Sequence, residues 1–114
     1  MAEEMVIFTR AFDFLHWLIP RTMGFPRSQR FIVTKRLHDA ALDFYERITE
    51  ANGCRGRDRL ARLREADVAL DKVRHYLRLA HRWTWLSPGQ YQHASKMVAE
   101  LGRLLGGWIK KTAG

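Results

Sequence analysis

Residues 75–96, HYLRLAHRWTWLSPGQYQHASK, hold three histidines, two arginines, one lysine, two tryptophans and two tyrosines, and no carboxylate. Two kinds of chemistry suit these residue types. A histidine beside an arginine can move a proton while the guanidinium holds a phosphate, which is minimal equipment for cutting RNA. Cations interleaved with aromatic rings can instead hold a nucleic-acid strand, the cations on phosphates and the rings on bases.

The catalytic option weakens on spacing. Arg74-His75 followed by His81 is similar to the arginine–histidine spacing of HEPN-type ribonucleases, themselves helical bundles, but Arg10 and His16 give nearly the same spacing inside an apolar segment. A pattern that recurs so loosely discriminates little. His75 and His81 are six residues apart, off a shared helical face, and no Glu-x-x-His pair of the di-iron type occurs. Cys54 has arginine neighbours but no partner signature. No phosphate-cradling glycine loop, serine elbow or paired-carboxylate motif is present. The expectation is no catalytic residue, no metal, no cofactor and no enzyme activity of this chain's own.

The elements that position these residues are helices. The 114 residues are 46% hydrophobic and 28% charged, the balance of one globular domain spanning 1–114. The single cysteine excludes a disulfide framework and fits a reducing cytoplasm. No apolar run reaches the roughly 18 residues a membrane span needs, and Glu3 and Glu4 are unlike the start of a signal peptide.

Apolar spacing is helical almost throughout. Met5, Phe8, Phe12, Leu15 and Ile19 form one stripe and Ile7, Ala11, Phe14 and Leu18 another, until Pro20 and Gly24 end or kink the helix. A second helix is expected from Pro26–Ser28, with Val33, Leu37, Ala40, Ala41, Phe44 and Ile48 inward and Asn52-Gly53 as a left-handed stop. A third runs from Asp58, its expected cap, to about Trp85. Ser87-Pro88-Gly89-Gln90 is a capping box opening a fourth, with Tyr91, Ala94, Val98, Leu101, Leu105 and Trp108 inward. Long helices and short connections predict an all-α, up-down-up-down four-helix bundle.

That topology gives the charge a location. Windows 14–38 and 72–99 contain no acid and would meet at one end, bringing together Arg21, Arg27, Arg30, Lys35, Arg36, Lys72, Arg74, Arg78, Arg82 and Lys96 with all five histidines. The rest of the chain has ten bases against all twelve acids. An end stripped of acids repels itself and favours a polyanion partner. Arg74, Arg78 and Arg82 make one stripe; Arg27, Arg30 and Arg36 begin another; Lys35 and Lys96 add to the surface. Trp83 and Trp85 are candidates for stacking on bases, although a tryptophan near a helix end commonly packs in a core.

A second feature is surplus apolar surface. The first helix carries Phe8, Phe12 and Trp17 around most of its circumference, more than one bundle needs to bury. Gly102, Gly106 and Gly107 lie beside Trp108 in the fourth helix. Glycine costs a helix roughly 1 kcal/mol per residue, so these positions suggest a close backbone approach, within the bundle or between subunits of a homo-oligomer.

Three stretches carry a resemblance. Phe25-Pro26-Arg27-Ser28-Gln29-Arg30-Phe31 is the first; Leu77-Arg78-Leu79-Ala80-His81 with Leu86-Ser87 and Gln90-Tyr91-x-His93-Ala94 is the second; Leu101-Gly102-Arg103-Leu104-Leu105-Gly106-Gly107-Trp108-Ile109 is the third. Together they resemble the accessory variability determinant (Avd) family of diversity-generating retroelements, grouped with proteins encoded by intervening sequences of 23S ribosomal RNA genes. The resemblance implies a small basic bundle assembled as a pentameric, barrel-like ring. It implies binding to RNA, to DNA as well, and to the retroelement's reverse transcriptase, with the polymerase supplying the catalysis. It further implies that the surplus surface of the first and fourth helices serves protomer contacts. The alternative is a structural module of the ribosomal intervening-sequence type whose basic end docks an acidic protein.

Overall fold

The computed structural model describes the backbone from Ala2 to Gly114 and side chains from Val6 onward. Met5, Glu3 and Glu4, named above, lie outside the described side chains. Four helices follow one another: α1 (Ala2–Thr22), α2 (Val33–Asn52), α3 (Gly56–Arg82) and α4 (Pro88–Ala113), with a 3-10 turn at Arg27–Gln29. Among the described residues there is no strand.

Each helix packs against its two neighbours in a square, α1 on α2 and α4, and α3 on α2 and α4. At one end Phe8 meets Tyr45 and Trp108 edge to face, and Arg59 Nε donates to the carbonyls of Ala51 and Cys54. At the other, Trp17 meets His93, Phe25 meets Trp85, and Thr22 bonds His38. These pairs join opposite ends of successive helices, which is the up-down-up-down order.

The core is one layer of side chains at helical spacing. Of the two stripes in α1, Ile7, Ala11, Phe14 and Leu18 are buried, whereas Phe12 is 60% exposed. Leu37, Ala40, Ala41, Phe44 and Ile48 of α2 share one buried cluster with Leu63, Leu70, Val73 and Leu77 of α3 and Val98, Leu101 and Leu105 of α4.

Four expected boundaries move, each for a local reason. α1 runs past Pro20 to Thr22; proline here sits exposed in the last turn, where it removes only the bond to the carbonyl of His16, itself an exposed residue. α2 starts at Val33 rather than at Pro26–Ser28. Pro26 opens only a 3-10 turn without a side-chain cap, and the chain breaks again at Ile32. That break places Thr34 in the core and leaves Val33 half-buried. Gly53 ends α2 with φ −88°, so it is no left-handed stop; the left-handed glycine is Gly56, at φ +56°. Asp58 does not cap α3, whose cap position is Arg55; it lies inside the first turn, where its charge complements the helix dipole.

The capping box of α4 forms as its sequence prescribes. Ser87 Oγ accepts from Gln90 N, Gln90 Oε1 accepts from Ser87 N, and Pro88 occupies the first helical position. α3 ends at Arg82, before Trp85, in a Schellman motif: Trp85 N donates to Ala80 O and Thr84 N to His81 O. Thr84 holds the left-handed position of that motif, φ +60°, where glycine is usual.

Candidate nucleic-acid interface

The two acid-free windows do converge. Phe25 and Trp85 have ring centroids 5.3 Å apart, Trp17 and His93 5.0 Å, and Thr22 Oγ1 lies 2.7 Å from His38 Nε2. One end of the bundle therefore gathers the end of α1, the loop into α2, the end of α3 and the start of α4.

The ten bases there are not equivalent. Lys35 Nζ donates to Asp39 at 2.6 Å, and Arg74 lies 3.6 Å from Asp71. Both acids stand just outside the windows, one helical turn from the base each faces. By contrast Arg27, Arg30, Arg78 and Arg82 are exposed and face no acid among the described residues. Arg78 and Arg82 line a shallow depression with His75 and Leu79. Arg27 and Arg30 line another with Thr22, Thr34 and His38. Arg36 and Lys72 stand on either side of the α2–α3 groove, diluted by Asp39 and Asp43. Arg21 is held over Trp17, and Lys96 is exposed on α4.

The two tryptophans separate in role. Trp85 is half-buried against Phe25, while Trp83 is 45% exposed with its ring 5.1 Å from that of Trp85. An aromatic row thus runs from core to surface, ending in the one ring of the pair that a base can reach.

The histidines do not assemble a proton relay. His81 stacks on Tyr91 at 4.3 Å, His93 tilts against Trp17, His75 is 3.6 Å from Asp71, and His16 is exposed. His38 is pushed below its ordinary pKa by burial, with Asp39 pulling the other way. Among the described residues no group of three or more His, Cys, Asp or Glu is placed to hold a metal ion.

The expected interface residues also divide. Trp108 is a core residue, packed on Phe8 and under Arg59, and Phe8 is half-buried with it. Trp17 is covered by His93 and Arg21. A Cβ at Gly102 would meet Arg74, so this glycine makes room inside the protomer. Gly106 and Gly107 have open space beside them, and with Phe12 they remain free surface.

Sequence reasoning misses an apolar flank of the basic end: Met23, Phe31 and Ile32 are exposed, Phe31 by 81%. The available signal is Phe31-Ile32-Val33, three consecutive apolar residues that cannot all face inward from one helix. It also misses Thr22 and Thr34, buried polar residues in the same corner.

Fold and site together define a four-helix bundle with one basic, acid-poor end. The chain belongs to the bAvd-like family, whose model matches residues 5–112. Among solved structures it is similar to a protein of unknown function from the S23 ribosomal protein family of Bacteroides thetaiotaomicron, with TM-score 0.85 over 95% of this chain and 98% of that one. Their identity is 19%, so this likeness concerns the fold. No curated protein matches the chain. Family membership supports an accessory-protein role in general terms. No described helix is long and apolar enough to cross a membrane.

Proposed function

We propose that this chain is a non-catalytic accessory protein of a diversity-generating retroelement. It binds RNA, and DNA as well, and the element's reverse transcriptase, supporting mutagenic reverse transcription of template-repeat RNA in the cytoplasm. The observation that carries the nucleic-acid part is the set Arg27, Arg30, Arg78 and Arg82, four exposed guanidiniums at one end with no described acid opposite them. Such cations neutralise phosphates and release counterions without reading sequence. Trp83 adds a stacking face. Assembly as a ring, with pentamer the expected number, is supported by the uncovered surface at Phe12, Gly106 and Gly107.

Salt titration of binding to template-repeat RNA tests this reading. Affinity should fall steeply as salt rises; no binding at low salt, or binding indifferent to salt, removes the nucleic-acid role. The second reading, an acidic protein docked on the same end, is favoured by the apolar flank at Met23, Phe31 and Ile32. Competition separates the two: template RNA displaces an acidic protein partner only if both use this end.

A further inference from the structure

One corner of the basic end has the makings of a more specific site. The end of α1, the 3-10 turn and the first turns of α2 enclose a recess of about 250 Å³, room for a group several waters in size, given about 30 Å³ per water in the liquid. Arg27 and Arg30 stand at it, and Thr22, Thr34 and His38 form part of its wall.

Three independent features there favour an anion with several oxygens. The first is charge: neither arginine faces an acid among the described residues. The second is the α2 N-terminus, a 20-residue helix with no side-chain cap and no acid in its first turn. Its leading N–H groups lack intrahelical acceptors and carry the positive end of the helix dipole. The third is Thr34. It is only 7% exposed, and its hydroxyl is shut off from solvent with no hydrogen-bond partner. Buried polar atoms are nearly always paired, and an orphan in a pocket wall signals a missing partner. Thr34 is part of the wall of the recess, so a group bound there lies beside the residue whose hydroxyl lacks a partner.

The wall itself is held in place. Thr22 Oγ1 donates to Ile19 O at 2.7 Å and therefore accepts from His38 Nε2–H, also at 2.7 Å. That chain ties α2 to the end of α1 and fixes the imidazole beside the recess, one turn beyond Thr34.

We propose that this recess is a phosphoryl-binding pocket that receives the terminal phosphate monoester of a nucleic-acid strand. Arg27 and Arg30 pair with its charge, and the Thr34 hydroxyl and the α2 N-terminal N–H groups donate to its oxygens. A monoester presents three acceptor oxygens and nearly two charges, where an internal diester presents two free oxygens and one charge. Arg27 and Arg30 bring donors to the recess from the loop and Thr34 from α2, a set that suits the monoester. The strand rests on the function proposed above; the phosphoryl chemistry stands without it.

The experiment compares one internally labelled oligonucleotide carrying a 5′-phosphate, a 3′-phosphate or only hydroxyl ends, against the parent chain, Thr34→Val and Arg30→Gln. The parent should favour one phosphate-ended strand by about tenfold or more, the scale of added charge-assisted hydrogen bonds. Thr34→Val should lose that preference and unfold at or above the parent's temperature. Arg30→Gln, an exposed change that leaves the core intact, should lose the preference and weaken all three strands. Equal affinity of the parent for all three ends overturns a terminal-phosphate pocket. If no strand binds, the nucleic-acid reading fails, and the ³¹P line width of inorganic phosphate and of a nucleoside monophosphate decides the pocket. Broadening that disappears in Thr34→Val assigns it to free phosphates; no broadening overturns it.

Discussion

A Cβ at position 102 would stand 2.6 Å from Nη2 of Arg74, so the glycine of α4 is the seat of an arginine head from α3. Two residues whose types suggest separate functions, a phosphate ligand and a subunit interface, are thus one packing unit inside the protomer. Arg74 also leans on Asp71 at 3.6 Å, which leaves it less available to an outside anion than Arg78 or Arg82.

The three glycines of α4 should therefore respond differently to alanine. Gly106→Ala and Gly107→Ala have open space and should each add about 0.5–1 kcal/mol of helix stability. Gly102→Ala must push aside the end of a flexible side chain, so the gain should shrink to between zero and about 0.5 kcal/mol. Chemical denaturation at low protein concentration checks the order. Sedimentation then tests assembly: if Gly106 and Gly107 face a second subunit, the same two variants associate more weakly than the parent. Unchanged association would clear that face of the role.

Thr84 is a β-branched residue at φ +60°, held between two tryptophans. The left-handed conformation costs an L-residue roughly 1–2 kcal/mol. Thr84→Gly should relieve it, offset by glycine's greater freedom when unfolded and by removal of the bond from Thr84 Oγ1 to Trp83 O. The net expectation is a gain of between zero and about 1 kcal/mol in a thermal or urea melt. Weaker RNA binding in the same variant would show that the strained turn serves to aim Trp83.

His38 gives stability a pH dependence of known sign. Its folded pKa lies below the ordinary 6.5 because burial disfavours the charged ring. The unfolded chain then binds more protons, so the contribution is fully present above pH 6.5 and is lost as pH falls from there through the lowered folded value. Denaturant midpoints at several pH values should show this loss, and His38→Gln should remove part of it. Identical profiles for parent and variant would contradict the assignment to His38.

Much of this architecture is legible in the residues. Ser87-Pro88-Gly89-Gln90 specifies a helix start by local chemistry alone, and the buried stripes of α1 to α4 follow from 3.6-residue spacing. The meeting of the two acid-free windows follows from helix order and short connections. What escapes are features set by a few dihedrals or by neighbours in space. The break at Ile32 rotates Thr34 inward and turns Phe31 out, a consequence no periodicity contains. Asp39 and Asp71 lie just past the edges of the acid-free windows, yet one helical turn brings each back to a base within them. Gly102 has the look of an interface signal until Arg74 is placed above it.

The unopposed arginines, rather than all bases of this end, are expected to hold nucleic acid. The slope of log affinity against log salt for single-stranded RNA tests this. Arg27→Gln, Arg30→Gln, Arg78→Gln and Arg82→Gln combined should flatten that slope by about 0.7 for each phosphate no longer neutralised. Lys35→Gln with Arg74→Gln should change it by less than the amount due to a single phosphate. An unchanged slope in the fourfold variant, or an equal change in the twofold one, would contradict this expectation.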